Sequence, residues 1–387
     1  MPLASVEGME RGNSFTFLRL VFALTVVFTH SFSLGGFGDD PLSRLTGGQM
    51  QMGNAAVLCF FVVSGFLITG SAMRQPSLWR FALNRAARIL PGFWAVQLAT
   101  VFALAPAIML HRYGSQLGYW DTVVIGPNSA ISYLFRDAGF RMLQYPITDL
   151  FLSNPGGSEV NGSLWSLAPE VTCYVYLGLL TAMGGLRFKF TGALLFVVVF
   201  ALHAFGHNNP DAMIPVARVL EKGGIFSFHF PVFRCAFLAF LCGMTLCQFR
   251  DALSFRGSFA LFALVALAGS CWGKCFDLVW PFTLPYLVLY LAHRLPFQRV
   301  ERWGDFSYGI YIYAFPIQQC LALGGLYRLG VLPYLLCSMM LAVVAGFVSW
   351  RWLEQPVLQW ARSIGRSSRT APCFRALRDV PRMVEIA

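Results

Sequence analysis

Four short stretches of this 387-residue chain hold ionisable side chains at spacings that chemistry can use, and each lies in or beside an apolar run. In FLRLVFALTVVFTH, Arg19 and His30 stand eleven residues apart. Eleven steps of about 100° return to nearly the same helix face, roughly 16 Å further along the axis. One stripe therefore carries a guanidinium at one end and an imidazole at the other. An imidazole titrating near about 6.5 suits a general base or a transient acyl carrier; the plainer reading is a snorkelling arginine and an interfacial histidine. In NRAARILP, Arg85 and Arg88 are i,i+3 neighbours, a pair able to grip phosphate bidentately or to serve only as inner-face charge. In NGSLWSLAPE, Ser163 and Glu170 are seven residues apart on one face. A carboxylate there needs a partner, such as His30 or an arginine, or shifts its pKa upward. In WRWLEQP, Arg351 and Glu354 are spaced to pair, and Pro356 is expected to help end the helix.

The elements that must position these residues follow from composition. The chain is 57% hydrophobic and 16% aromatic, and only 12% of it is charged, where soluble domains carry about 25% charged residues. With a net charge of +11, this excludes a disordered chain, a fibrous chain and a soluble nucleic-acid-binding domain, which is polar as well as basic. The expected class is all-α: a polytopic membrane protein of about ten transmembrane helices. Apolar stretches of span length fall at 15–34, 53–72, 90–110, 164–183, 188–205, 227–247, 258–273, 277–292, 306–326 and 332–353. An even count puts both termini on one side. With the N-terminus inside, nineteen Lys and Arg fall in inner segments and eight in outer ones, so both termini are expected to be cytoplasmic.

The domain reading follows. Residues 1–14 form a cytoplasmic N-terminal segment and 15–360 a transmembrane domain. Within it, 111–163 is a large extracytoplasmic segment whose Trp120, Tyr133, Phe135 and Phe140 place it on the membrane surface. Residues 361–387 form a basic cytoplasmic tail, which can touch anionic headgroups. Glu7, Glu10 and Arg11, with no small-residue cleavage site after the first apolar run, argue for a retained first span.

Other chemistries find little support. Most cysteines sit in apolar runs as packing residues, although Cys271 and Cys275 flank a turn and could pair. His203 and His207 are spaced i,i+4 without a nearby carboxylate or cysteine in sequence, so no metal site is expected. Ser64-Gly65 lacks the surroundings of a nucleophile elbow and reads as a close-packing pair.

Taken in order, the motifs resemble acyltransferase family 3, membrane-integral O-acyltransferases that modify O-antigen, exopolysaccharide and lipo-oligosaccharide sugars. The resemblance covers residues 13–360. It rests on the Arg-x10-His signature (Arg19, His30), CFFVVSGFLITG (59–70), the Arg-x-x-Arg element (Arg85, Arg88), and the Ser-Leu-Trp-Ser-Leu-x-x-Glu element (Ser163, Trp165, Ser166, Glu170). FSYGIYIYAFPIQQ (306–319, with Tyr308 and Tyr311) and WLEQPV (352–357, with Glu354) complete it. One departure stands out: many members carry His where this chain has Ala314, so no role passes to that position.

The resemblance implies an acyl-CoA-dependent enzyme of the inner (cytoplasmic) membrane. It would transfer acetyl from cytoplasmic acetyl-CoA, a co-substrate and not a resident cofactor, to a hydroxyl of a glycan or lipid-linked oligosaccharide. His30 would act as general base or acyl carrier, and Glu170 would orient it or take the acceptor proton. Arg85 and Arg88 would hold the CoA phosphates, with Arg19 along the pantetheine path. Ser163, Trp165, Ser166, Tyr308, Tyr311 and Glu354 would support them. Membrane lipids are the other expected partner, and no nucleic acid is. Because the chain ends at 387 without a fused esterase-like domain, it is expected to act alone or with a separate partner. The competing reading is a transporter or flippase of a lipid-linked glycan, against which stands the lack of inverted-repeat halves.

Overall fold

The structure is a computed structural model that describes residues 13–74, 77–113, 126, 128–222 and 230–367. The first twelve residues, the tail from 368 and Trp120 lie outside the described residues. Among the described residues the regular elements are helices, with no strand. They are α1 Phe15–Leu34, α2 Met52–Arg74, α3 Leu78–Ala99, α4 Ala130–Asp137, α5 Leu167–Ala182, α6 Thr191–Asn208, α7 Pro210–Lys222, α8 Phe230–Gln248, α9 Gly257–Trp272, α10 Phe276–Arg294, α11 Ser307–Leu323 and α12 Val331–Ser349. The α3 rod runs on through a π-turn (Thr100–Leu104) to Tyr113, and the α12 rod through a second π-turn (Trp350–Glu354) to Ser367.

Among the described residues, five rods are long and apolar enough to cross a membrane: Phe15–Leu34, Met52–Arg74, Leu78–Arg112, Thr191–Asn208 and Val331–Ile364. The expected count of about ten spans is therefore met only in part: the described residues of the ten apolar stretches fall mostly within helices, and five of those helices have the length and hydropathy of a span. Outward faces bear exposed Leu194, Val197, Phe262, Leu264, Leu336 and Met340, as suits helices whose backbone groups are satisfied internally and whose side chains meet lipid.

Two helix crossings depend on glycine. A Cβ built on Gly65 would lie 2.1 Å from the Phe240 carbonyl oxygen, and one on Gly243 would lie 2.1 Å from that of Val62, so α2 and α8 touch backbone to backbone. Gly309 and Gly346 do the same for α11 and α12, where the added carbon would be 2.7 Å from Gly346 Cα. In lipid, where burial of apolar surface does not drive association, such close approach supplies the packing energy.

Prolines inside helices set up a second kind of link. A proline lacks an N–H, so the carbonyl four residues earlier loses its helical partner. Pro281 frees the Asp277 carbonyl, which meets His203 Nε2 at 2.9 Å. Pro285 frees that of Pro281, which accepts from Cys242 Sγ at 3.3 Å. Pro316 frees that of Ile312, which accepts from Asn161 Nδ2 at 2.9 Å. Each freed acceptor thus fastens a neighbouring element. The spacing of His203 and His207 gains a structural purpose here: both rings face Asp277 Oδ2, at 3.9 and 3.6 Å.

Of the segment expected on the membrane surface, the part from 128 to 163 sends several side chains inward. Tyr133, Ile147, Leu150, Phe151 and Val160 are buried against Val101, Ala105 and Ile108 of the α3 rod, while Phe135 stays exposed. The sequence reading took these aromatics as one interfacial set, yet the helical turn at Ala130–Asp137 points neighbouring rings in different directions. Asn154 donates to the Gln319 carbonyl and side chain (2.9 and 2.7 Å), and Gln319 donates to the Glu159 carbonyl (2.6 Å).

Two helix ends also differ from expectation. The α3 helix begins at Leu78, not near 90, because the twelve residues before Leu90 contain no helix breaker and Ser77 stands at its N-cap. Pro356 does not end the α12 rod. It is the second residue of Gln355–Ser367, a first-turn position that needs no N–H.

Candidate active site

Six helical elements, α1, α2, α3, α5, α11 and the α12 rod, and the loop before α11 enclose a cavity of about 320 Å³. The α2 helix supplies its apolar floor from Val57, Phe60, Ser64, Leu67, Ile68 and Ser71, a stripe recurring every three to four residues. Arg19 of α1, Arg85 and Arg88 of α3, Glu170 of α5 and Tyr308 and Tyr311 of α11 bring its polar groups.

One wall is an ion network. Arg19 pairs with Asp305 Oδ2. Arg88 Nη2 meets the same oxygen at 2.9 Å, and its Nη1 donates to the Asp305 carbonyl at 3.1 Å. Arg88 Nη1 also lies 3.7 Å from Glu354 Oε2, whose other oxygen accepts from Ser349 Oγ at 3.0 Å. The Tyr308 and Trp350 rings flank the Arg88 guanidinium, with centroids 5.8 and 5.6 Å away. Burial works against the Asp305 carboxylate, but Arg19 and Arg88 outweigh it and hold its carboxyl below the ordinary carboxylate value. One carboxylate thus serves both cations, and Arg88 also faces a second, Glu354.

This overturns one expected pairing. Arg351 bonds Gln355 at 3.1 Å and is exposed, while Glu354 is fully buried and turned to Arg88. The π-turn is the reason: it takes more residues per turn, so positions three apart no longer share a face. Arg85 and Arg88, neighbours on α3, also have different partners. Arg85 has no carboxylate within 4.0 Å among the described residues and stacks over the Tyr174 ring, 5.7 Å from its centroid.

Deeper in, Tyr174 donates its hydroxyl to Glu170, on the same helix face one turn earlier. Ser166 Oγ and Tyr311 OH meet at 2.7 Å. Tyr308 donates to the Ile89 carbonyl at 2.9 Å, and it fits only because position 92 is glycine, where a Cβ would lie 2.7 Å from its ring.

His30 is half-buried and does not line the cavity. Its ring stands edge-on to Phe315, with centroids 5.1 Å apart. Phe315 is one helical turn beyond Tyr311 on α11. The residues around it are fastened. Gln318 Nε2 donates to the Val27 carbonyl and to Ser31 Oγ (2.9 and 2.8 Å). Thr29 donates to Asp40 at 3.0 Å and accepts from the Gly53 N–H at 2.8 Å. The face that His30 presents is therefore set from both sides, while its own Nδ1 is buried with no hydrogen-bond partner. Ser163 Oγ and Asn161 Oδ1 are likewise buried and unpartnered, and the intervening Gly162 packs against Phe315. Unused polar capacity of this kind, gathered around one ring, is uncommon in a packed interior.

The structure thus gathers Arg19, Arg85, Arg88, Ser166, Glu170, Tyr308 and Tyr311 on one cavity and leaves His30, against Phe315, and Ser163 outside its lining. Trp165 is half-buried and outside the lining, and Glu354 touches the site only through Arg88. Glu170 meets Tyr174, not His30. The sequence reading missed Asp305, Tyr174 and Arg362 and took Ser64 only as half of a close-packing pair; all four are in the lining. Only Ser64 had left a signal, as a polar residue within an apolar run.

The family model for acyltransferase family 3, described as an acyltransferase domain, matches residues 13–351. The chain is similar to an O-acetyl transferase of Shigella phage Sf6, with 28% identity over 354 residues, 90% of this chain and 97% of that one. It is also similar to nodulation protein 10 of Rhizobium leguminosarum bv. viciae, with 27% identity over 372 residues, 91% of this chain and 95% of that one. No solved structure matches it.

Proposed function

The chain belongs to acyltransferase family 3, and from that membership we propose that it moves an acetyl group from acetyl-CoA at the cytoplasmic face to a hydroxyl of a cell-surface or secreted glycan. The observation that carries the reading is the layout along α1. At the Arg19 end lies a cavity with an apolar floor and a cation without a carboxylate partner among the described residues, Arg85; toward the other end of α1 stands an imidazole with a free nitrogen. An acyl-pantetheine arm suits the apolar floor made by α2, and the phosphates it trails suit Arg85.

In the direct route, an imidazole nitrogen of His30 takes the proton of the acceptor hydroxyl. The hydroxyl oxygen attacks the thioester carbonyl, the C–S bond breaks, and the CoA thiolate leaves and is protonated. In the carrier route, the ring nitrogen attacks the thioester carbonyl, the C–S bond breaks and CoA leaves as thiolate; the acceptor hydroxyl oxygen then attacks the acetyl carbonyl, the N–C bond breaks, and the hydroxyl proton passes to the freed ring nitrogen. Either route needs the thioester to pass the Ser166–Tyr311 bond, so these two hydroxyls act as a gate. Glu170 and Tyr174 would polarise the cavity and not the histidine. Arg88, held by Asp305 and Glu354, would build the wall that the donor slides along.

The test is release of CoA from acetyl-CoA by purified protein, with and without a cell-envelope glycan extract, for wild type, His30→Ala and Arg85→Ala. Glycan-dependent release that falls about 10²–10⁴-fold in His30→Ala supports the reading, the range expected for a general base. A folded wild type that neither binds nor cleaves acetyl-CoA would overturn it in favour of a transporter.

A further inference from the structure

The family match stops at residue 351, but the α12 rod does not. Beyond the π-turn it continues as Gln355–Ser367, packed against α3, with Ala361 buried between them. Leu358 and Arg362, four residues apart and so on one face, both line the cavity. Arg362 is exposed as well, which puts it at the mouth, while Trp360 and Ile364 on the other faces are open to the surroundings.

Charge accounting separates the four arginines of the lining. Arg19 and Arg88 are matched by Asp305 and Glu354. Arg85 and Arg362 have no carboxylate within 4.0 Å among the described residues. They also come from different rods, α3 and the α12 extension, so they approach the mouth from two directions. Ser64 Oγ, on the α2 floor, is buried and unpartnered but neutral, so the unpaired positive charge of the lining lies with Arg85 and Arg362. The place for a polyanion is therefore the mouth.

We infer that Arg362, on a helix beyond the shared domain, pairs with Arg85 as a two-cation clamp for the phosphate end of the donor, and that the motif arginine Arg88 is structural. The inference rests on the donor assignment made above. It deepens that assignment by naming the residues that read the nucleotide phosphates and by leaving the pantetheine arm to the apolar floor.

Two donors decide it: acetyl-CoA and acetyl-pantetheine, which keeps the thioester and lacks the phosphates. Losing one charge-assisted contact should raise KM for acetyl-CoA about tenfold or more. Arg362→Ala and Arg85→Ala should each do so with kcat little changed, and leave KM for acetyl-pantetheine unaltered. Arg362→Lys should recover most of the loss, and calorimetric titration with CoA should show the same order of affinities. Wild-type KM for acetyl-CoA with Arg362→Ala, in an active protein, would overturn the clamp and leave the proposed function standing. An effect of Arg362→Ala seen only with anionic lipid present would assign the cation to a lipid headgroup phosphate and equally overturn it. A wild type that neither binds CoA nor cleaves either donor would instead remove the proposed function itself.

Discussion

Asp305 is the residue on which the site wall turns, because one carboxylate oxygen serves both Arg19 and Arg88. Its side chain is 18% exposed and that of Arg88 12%, so solvent screens the pair only weakly. Asp305→Asn leaves two guanidinium groups facing an amide, and the expected cost is about 3–5 kcal/mol, typical when one member of a buried pair is removed. Thermal unfolding in detergent, followed by tryptophan fluorescence, should show a clearly lowered Tm at pH 7; an unchanged Tm would mean the network adds nothing. The sign with pH follows from the lowered folded-state pKa. The stabilisation is fully present above the unfolded-state pKa of about 3.9 and disappears as pH falls through the folded value. The gap between wild type and Asp305→Asn should therefore stay level from pH 7 to about 5 and narrow toward pH 3.

At the scale of elements, α11 is the post to which the rest is tied. Its Pro316 releases the Ile312 carbonyl to Asn161, its Gln319 takes Asn154 and the Glu159 carbonyl, and its Gln318 reaches α1 on either side of Thr29 and His30. The motif residues of this helix thus read better as fasteners than as reagents, and Ala314, buried at 2% exposure, fills a packing position in that post. The link can be tested by a cycle. Asn161→Ala should cost about 1–3 kcal/mol, because it strands a buried carbonyl. Pro316→Ala supplies that carbonyl with a helical N–H, so the double variant should recover most of the lost Tm. Additive losses in the double variant would show that the Asn161 bond is incidental. Sequence alone offered half of this: Pro316 announced a vacant acceptor at Ile312, but nothing local said which donor would come from 151 residues away.

For the whole molecule, the cavity and the imidazole lie toward opposite ends of α1, and the proposed chemistry needs those ends to face different compartments. The excess of arginine and lysine at the cavity end supports its facing the cytoplasm. Arg44, in the short helix Pro41–Leu45 past the His30 end, and Arg362 at the cavity mouth mark the two ends. A membrane-impermeant thiol reagent applied to intact cells should label Arg44→Cys above the native background and leave Arg362→Cys unlabelled until the membrane is opened. The reverse pattern would invert the protein and require the donor to come from outside.

Helix positions, the length of each apolar run, the i,i+4 stripes and the shared face of Arg19 and His30 all follow from local periodicity, and local sequence was enough to read them. So was the family, because its motifs are short and ordered. What only the tertiary structure decided is which of those residues meet. Arg88 finds Asp305 across 217 positions and Glu354 through a π-turn that no composition signals. Glu170 takes Tyr174 instead of His30, and an arginine that read as tail charge reaches the mouth of the cavity. The physical reason is that a helix specifies its own faces from within, whereas pairing between helices depends on crossing angles, glycine contacts and freed carbonyls that the packed bundle settles together.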